Sequence, residues 1–251
     1  MRSKSQKNTH NIEVEESGNL KFVHKRSLGQ NFLTSDIVPG WMVESAKVIT
    51  SDTILEIGPG TGRLTEALLK TGARVIAVEA DIRAVEELNK TFEKELKSKQ
   101  LTLHHGDARE INPISLGLSD KKFKVVANIP YYLSGFLLRS LLESEIQPTN
   151  LTFLIQKELA VRIARDKKES ILALSVKVFG EPKLYKTVSP GHFYPMPKVD
   201  SAILTIDNIQ RDNFKEITTE HFFAIVHLGL GKKRKQLIAN LSEKYNRSDL
   251  I

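Results

Sequence analysis

Cysteine is absent from this 251-residue chain, which excludes disulfides, thiolate nucleophiles and cysteine-based zinc or iron–sulfur sites and suits a reducing compartment. Long apolar runs are missing too: none reaches the ~18 residues that a membrane-crossing helix requires. The opening MRSKSQKNTHNIEVEESGNL has no apolar segment of the kind found in secretory leaders. Together these absences predict a cytoplasmic protein with no membrane partner. No internal repeat is visible. What remains is an ordinary globular composition, 40% hydrophobic and 27% charged, at a length that accommodates one large domain or one domain with a small appendage.

The placement of charge is more informative than its total. Net charge is +7, yet residues 1–26 hold six basic against three acidic side chains and residues 232–251 hold six against two, so the 205 residues between them carry 25 of each. A neutral body with two basic ends suits a polyanionic partner, because Lys and Arg displace condensed counterions from phosphates. Lys25, Arg26, Lys232, Lys233, Arg234 and Lys235 are the candidate contacts. A solvated tail and a solubilising helix face account for the same charges equally well.

Residues 1 to about 20 are polar and aperiodic, the composition of a disordered segment. From Thr53 onward, TILEI, RLTEALLKTG, RVIAVEA, DIRAVEELNKTFEKEL and LTLHHG alternate short apolar runs with amphipathic segments, the pattern of an α/β fold with a parallel sheet. Residues 123–129 read as the next strand, 135–144 as a helix, 151–156 as a strand and 157–165 as a helix. Two late strands are predicted at 171–179 and 201–208, joined through a proline-rich loop. The last apolar segment reads as helices broken near Gly229 to Gly231, a small basic appendage.

The first strand runs directly into Gly58-Pro59-Gly60-Thr61-Gly62 and then a helix, where glycines let the backbone approach a ligand and turn sharply. Spacing separates the ligands that use such loops. A triphosphate loop ends in Gly-Lys-Ser/Thr, whereas Arg63 and Leu64 follow Gly62; a dinucleotide loop is G-x-G-x-x-G, whereas this one is G-x-G-x-G. Glu79, 19 residues after Gly60, closes the second strand where a carboxylate can accept hydrogen bonds from both hydroxyls of an adenosyl ribose. Dinucleotide and methyl-donor sites share that feature, and an exposed strand-end charge is the plainer alternative. The third strand ends in Gly106-Asp107-Ala108, where Asp107 either accepts the amino group of a cofactor adenine or caps a helix, two compatible roles.

The fourth strand ends Asn128-Ile129-Pro130-Tyr131. An exocyclic adenine amine is a weak nucleophile because its lone pair is delocalised into the ring. The Asn128 side-chain oxygen and the Pro130 carbonyl can accept its two N–H groups and expose that lone pair, and Tyr131 offers a flat face for the base. A loop in which Tyr131 is merely core fits the tetrapeptide alone, but less well once the glycine loop, Glu79 and Asp107 precede it in order.

These motifs resemble, in order, those of the ribosomal RNA adenine N6,N6-dimethyltransferases. Lys25-Arg26-Ser27-Leu28-Gly29-Gln30-Asn31-Phe32-Leu33, EIGPGTGRLTEALL, VEAD, GDA, NIPYYLSG and the segment from Phe193 to Ser201, FYPMPKVDS, carry the resemblance over roughly residues 24–208. It implies a Rossmann-like class I methyltransferase domain over 25–208, with a mostly parallel seven-stranded sheet containing one antiparallel strand. A disordered basic extension would precede it at 1–24, and a short basic helical RNA-binding region would follow at 209–251. It also implies S-adenosyl-L-methionine as cofactor, contacted by Gln30, Asn31, Leu33, Gly58, Gly60, Glu79, Ala80, Asp107, Ala108 and Asn128, with no metal. Asn128, Pro130, Tyr131 and Phe193 are the implied catalytic residues, Tyr131 and Phe193 sandwiching the target adenine.

Within the family, GPG in the loop and QKELAVRI at 156–163 look more like the small-subunit branch. The implied substrate is then a pair of adjacent adenosines in the hairpin loop near the 3′ end of 16S ribosomal RNA, methylated during small-subunit maturation by a monomer. Three departures stand out: Ile171-Leu172 occupies the place of the family's Tyr-Gly, the C-terminal helical region is short, and about 24 residues precede the first motif. Competing readings are a 23S RNA adenine methyltransferase, an RNA-binding assembly factor on the same fold and, least supported by the glycine spacing, a nicotinamide dehydrogenase.

Overall fold

The computed structural model describes residues 31–166, 169–232 and 236–246. A short strand β1 (Phe32–Leu33) and helix α1 (Ile37–Ser45) lead into the main sheet. Strands buried on both faces need continuous apolar runs, which TILEI and RVIAVE supply as β2 (Thr53–Ile57) and β3 (Arg74–Glu79), separated by α2 (Arg63–Leu69). Helix α3 (Ile82–Thr91) starts at Asp81, whose side chain accepts from Arg83 N. The long amphipathic segment read as one helix breaks at Phe92, which turns into the core, and resumes as α4 (Glu93–Lys97).

Next come β4 (Leu101–His105), β5 (Lys124–Asn128), α5 (Ser134–Glu143), β6 (Asn150–Gln156) and α6 (Lys157–Ala164). One expectation fails here. Residues 171–177 form helix α7 (Ile171–Lys177), not a strand: Ser170 caps it through a bond from Ala173 N, 3.1 Å, and Ala173 and Val176 face the core. An apolar run of that length has no periodicity that separates a buried helix from a buried strand. The unforeseen strand is β7 (Glu181–Val188), an edge strand whose Pro182, Lys183 and Lys186 disguise it. It is followed by β8 (Phe193–Tyr194) and β9 (Ser201–Asp207).

The sheet order is β4-β3-β2-β5-β6-β9-β7, parallel except for β9, which pairs antiparallel with both neighbours. Val38, Met42, Leu68 and Leu88 build a core on one face; Leu137, Leu138, Ile163 and Val176 build the other. The succession of strands across the sheet reverses between the parallel β2 and β5, so a crevice opens outside their carboxyl ends. Helix α8 (Thr219–Leu230) is tied to the second core by a chain of rings, Phe179–Phe214 at 5.1 Å and Phe179–Phe223 at 6.4 Å between centroids. The chain turns at Gly231 into α9 (Leu237–Leu241), and Asn240 Nδ2 donates to Gly229 O at 2.6 Å. Among the described residues no helix is long and apolar enough to cross a membrane.

Candidate active site

At the crevice lies an open cleft lined from four strand ends. The loop after β2 forms its floor, with Gly58, Gly60 and Gly62 at φ of 69°, 54° and 81°. A side chain at Gly60 would meet the Phe32 ring 3.0 Å away, so glycine allows β1 to close over the loop. At Gly62 a Cβ would fall 2.7 Å from Phe92, the residue that breaks α3 from α4. The glycine spacing is thus fitted to its surroundings as well as to a ligand.

At the end of β3 Glu79 is almost fully buried, and its position is fixed by backbone donors: Gly60 N gives to Oε2 at 3.0 Å and Asp81 N to Oε1 at 2.9 Å. Burial raises its pKa, and the N–H groups of Asp81, Gly60 and Ala80 oppose that rise. Each carboxylate oxygen has two acceptor sites, so acceptor capacity remains on the acid beyond these backbone donors. Beneath the loop, alternation along β2 turns Glu56 toward α2, where it is fully buried. Neither Glu56 oxygen nor Thr65 Oγ1 meets a partner in hydrogen-bond geometry among the described residues. Burial pushes the Glu56 carboxyl up to about 8; the nearby Thr65 hydroxyl offsets part of this and the charge of Glu79 adds to it.

Asp107 follows β4 and does cap a turn, the 3₁₀ segment Ala108–Glu110. Its carboxylate is gripped by one residue: Arg109 N and Nε reach Oδ1 at 2.8 and 3.0 Å, while Nε and Nη2 reach Oδ2 at 3.1 and 2.5 Å. The Arg109 side chain holds the acid at about 2. Both residues line the cleft with Ala80 and Ala108.

The end of β5 supplies the fourth wall. Asn128 Nδ2 donates to Asn31 O at 3.1 Å, which ties β1 to β5 and leaves Oδ1 without a partner among the described residues. The Pro130 carbonyl, the expected second acceptor, already takes Leu133 N at 3.0 Å in the turn Tyr131–Leu133; the Ile129 carbonyl accepts no hydrogen bond from the described residues. Tyr131 lines the cleft with its hydroxyl fixed to Ser201 Oγ, 2.7 Å away at the start of β9, and burial raises the phenol pKa despite that bond.

Asn31 and Leu33 line the cleft; Gln30, Lys25, Arg26, Lys233, Arg234 and Lys235 lie outside the described residues. Phe193 differs from its expected place. Its ring is 4% exposed, packs with Leu33, Val188 and Ile203 in the core and does not line the cleft, so no aromatic sandwich is preformed. Strand alternation explains this: Phe193 pairs with Leu33 across the two-stranded β1–β8 ribbon, and its neighbour Tyr194 takes the exposed side. Lys232 is also engaged, paired with Glu243. Phe32, Arg109 and Tyr132 were missed by sequence reasoning. Phe32 stood between two named residues and Arg109 directly after GDA, so position alone offered a signal. No group of three or more His, Cys, Asp or Glu suited to a metal occurs among the described residues.

A glycine loop on β2, acids ending β3 and β4, and an Asn-x-Pro-Tyr turn ending β5 define a Rossmann-like methyltransferase. Residues 21–250 match the family described as ribosomal RNA adenine dimethylase, and the chain belongs to that family. It is 36% identical over 220 residues to a ribosomal RNA small subunit methyltransferase A of Dehalococcoides mccartyi, spanning 87% of this chain and 75% of the relative. The protein of the same name from Clostridium botulinum is 34% identical, over 86% and 79%. Among solved structures, a dimethyladenosine transferase from Plasmodium falciparum superposes with a TM-score of 0.72 at 28% identity, covering 85% of this chain and 75% of that one. The 23S rRNA methyltransferase ErmE gives 0.73 at 25% identity, covering 87% and 86%.

Proposed function

We propose that the protein transfers methyl groups from S-adenosyl-L-methionine to N6 of two adjacent adenosines in the hairpin loop near the 3′ end of 16S ribosomal RNA. The observation that carries this is the wall at β5: an asparagine whose donor is tied back to Asn31, so that an acceptor is left beside the anchored ring of Tyr131. An amine with two N–H groups is the complement of such a wall. The cofactor supplies a methyl group on a sulfonium that is already a good leaving group. The protein's task is therefore positioning for in-line displacement and exposure of the amine lone pair.

Asn128 Oδ1 accepts one amine N–H, and a backbone carbonyl accepts the other. Pro130 has one remaining acceptor site, whereas both sites of Ile129 are open to it. The neutral Tyr131 phenol, anchored by Ser201, holds its ring for stacking with a base that has left its own stack. Glu79 and Asp107 take the ribose and adenine of the cofactor, and the monomethylated product keeps one N–H for a second turn. Small ribosomal subunits are the partner and the cytoplasm the setting that this activity requires. The identities of 36% and 34% to small-subunit enzymes favour the 16S target over the 23S alternative.

Incubating the purified protein with unmethylated small subunits and the methyl donor should produce dimethyladenosine in the 3′ hairpin of 16S RNA. Methylation of 23S RNA alone would move the target, and binding without methylation of either RNA would leave an assembly factor. Tyr131→Ala should lower turnover ten- to a hundredfold, as stacking is worth ~1 to 3 kcal/mol per base, while cofactor affinity holds. Phe193→Ala separates two roles: a core ring costs stability at unchanged activity per folded molecule, whereas a ring that rotates out to the base costs turnover.

A further inference from the structure

Asp107 accepts from three N–H groups, the Nε one shared between its two oxygens, out of about four acceptor sites. One N–H is the backbone donor of the turn; two belong to the Arg109 guanidinium. Most of the acceptor capacity of the acid assigned to the cofactor adenine is therefore taken by its own neighbour. That neighbour is free to leave: the Arg109 side chain is 63% exposed, and an exposed ion pair contributes little to stability. Arg109 also lines the cleft, as does Tyr132, a ring exposed at the rim. An arginine at such a rim is suited to a phosphate, which its planar fork binds as readily as a carboxylate.

We propose that Arg109 is a two-position residue: in the free protein it fills the place of the cofactor's adenine amine on Asp107, and once the cofactor is bound it swings to the rim and takes a phosphate of the RNA flanking the target adenosine. Cofactor and RNA thereby bind with positive coupling, each favouring the Arg109 position that the other needs, and by linkage the coupling is equal in both directions. The inference rests on the assignment of Asp107 to the cofactor adenine.

The test uses the full chain, S-adenosylhomocysteine as a cofactor probe without turnover, and a short RNA hairpin with two adjacent loop adenosines. Wild-type protein should bind the hairpin more tightly when saturated with S-adenosylhomocysteine. Arg109→Met should bind S-adenosylhomocysteine about two- to fivefold more tightly, because the competitor for Asp107 is gone and exposed pairs are weak. The variant should lose the cofactor-dependent gain in RNA affinity, and its log-log salt slope in the saturated state should flatten by ~0.7, one phosphate contact on a single strand. Unchanged or weaker S-adenosylhomocysteine binding in Arg109→Met, with wild-type thermal stability, would show that Arg109 merely orients Asp107 and would overturn the proposal. So would intact coupling. Asp107→Ala distinguishes the underlying reading: if it leaves S-adenosylhomocysteine affinity unchanged, the assignment of Asp107 itself has failed.

Discussion

The two acids of the cleft occupy equivalent places, each at the carboxyl end of a strand, yet they are held in opposite ways. Glu79 is buried and positioned by backbone N–H groups that cannot move without unfolding the loop; Asp107 is partly exposed and positioned by an arginine side chain that can. The β3 side of the cleft is rigid and built before any ligand arrives, while the β4 side is finished by a removable group. The difference predicts that changes on the β3 side damage both fold and affinity, and that changes on the β4 side alter affinity alone.

Glu79→Ala should have the largest effect. On the assignment proposed above, two charge-assisted bonds to the ribose are lost, each worth ~1.5 to 3 kcal/mol, and the Gly60 and Asp81 amides lose their acceptor. Calorimetry should show cofactor affinity reduced a hundredfold or more together with a lower melting temperature; a normal melting temperature would contradict the rigid-side picture. Glu56, beneath the same loop, comes next. Its carboxyl ionises near its ordinary value of 4.5 when unfolded and near 8 when folded, so between these values the folded chain binds the extra proton. Stability is then full below about pH 4.5 and is lost as pH rises through 8. Glu56→Gln should remove this loss, gaining on the order of 2 to 4 kcal/mol at pH 8 and almost nothing at pH 5, as read from denaturant midpoints.

On the movable side, Asp107→Ala should weaken the cofactor only about tenfold and leave the melting temperature within a degree or two. A collapse in stability would place Asp107 with Glu79 after all. The smallest effect belongs to Lys232. Because its ammonium is paired with Glu243, Lys232→Gln should change the salt slope of RNA binding by less than the ~0.7 to 0.9 of a full phosphate contact.

Much of the rigid side was legible in the sequence. Residues 53–57, 74–79 and 124–128 announce themselves as buried strands, and once their ends are known, Gly58, Glu79, Asp107 and Asn128 must meet. Less legible were features set by tertiary partners. Helix α7 was read as a strand and strand β7 as part of a loop, because an apolar run of nine residues fits either state and an edge strand with lysines resembles a loop. Phe193 was named for its motif, but which way it turns depends on its register against Leu33, which no local pattern records. The grip of Arg109 on Asp107 is a competition between two partners for one carboxylate, and sequence shows only that the candidates are neighbours.

The reversed direction of β9 has a consequence for what lies beside the cleft. A parallel strand in that slot would begin at the far edge of the sheet; an antiparallel one begins at the catalytic edge, where Ser201 holds Tyr131. The segment 189–200 therefore leaves β7 and enters β9 on the side of the cleft, carrying the exposed Tyr194 and Met196. That hairpin-like span is anchored at both ends and backs the cleft through the β1–β8 ribbon, yet none of its own residues lines the cleft. The polarity of one strand thus brings the exposed Tyr194 and Met196 to the edge of the sheet where the cleft opens.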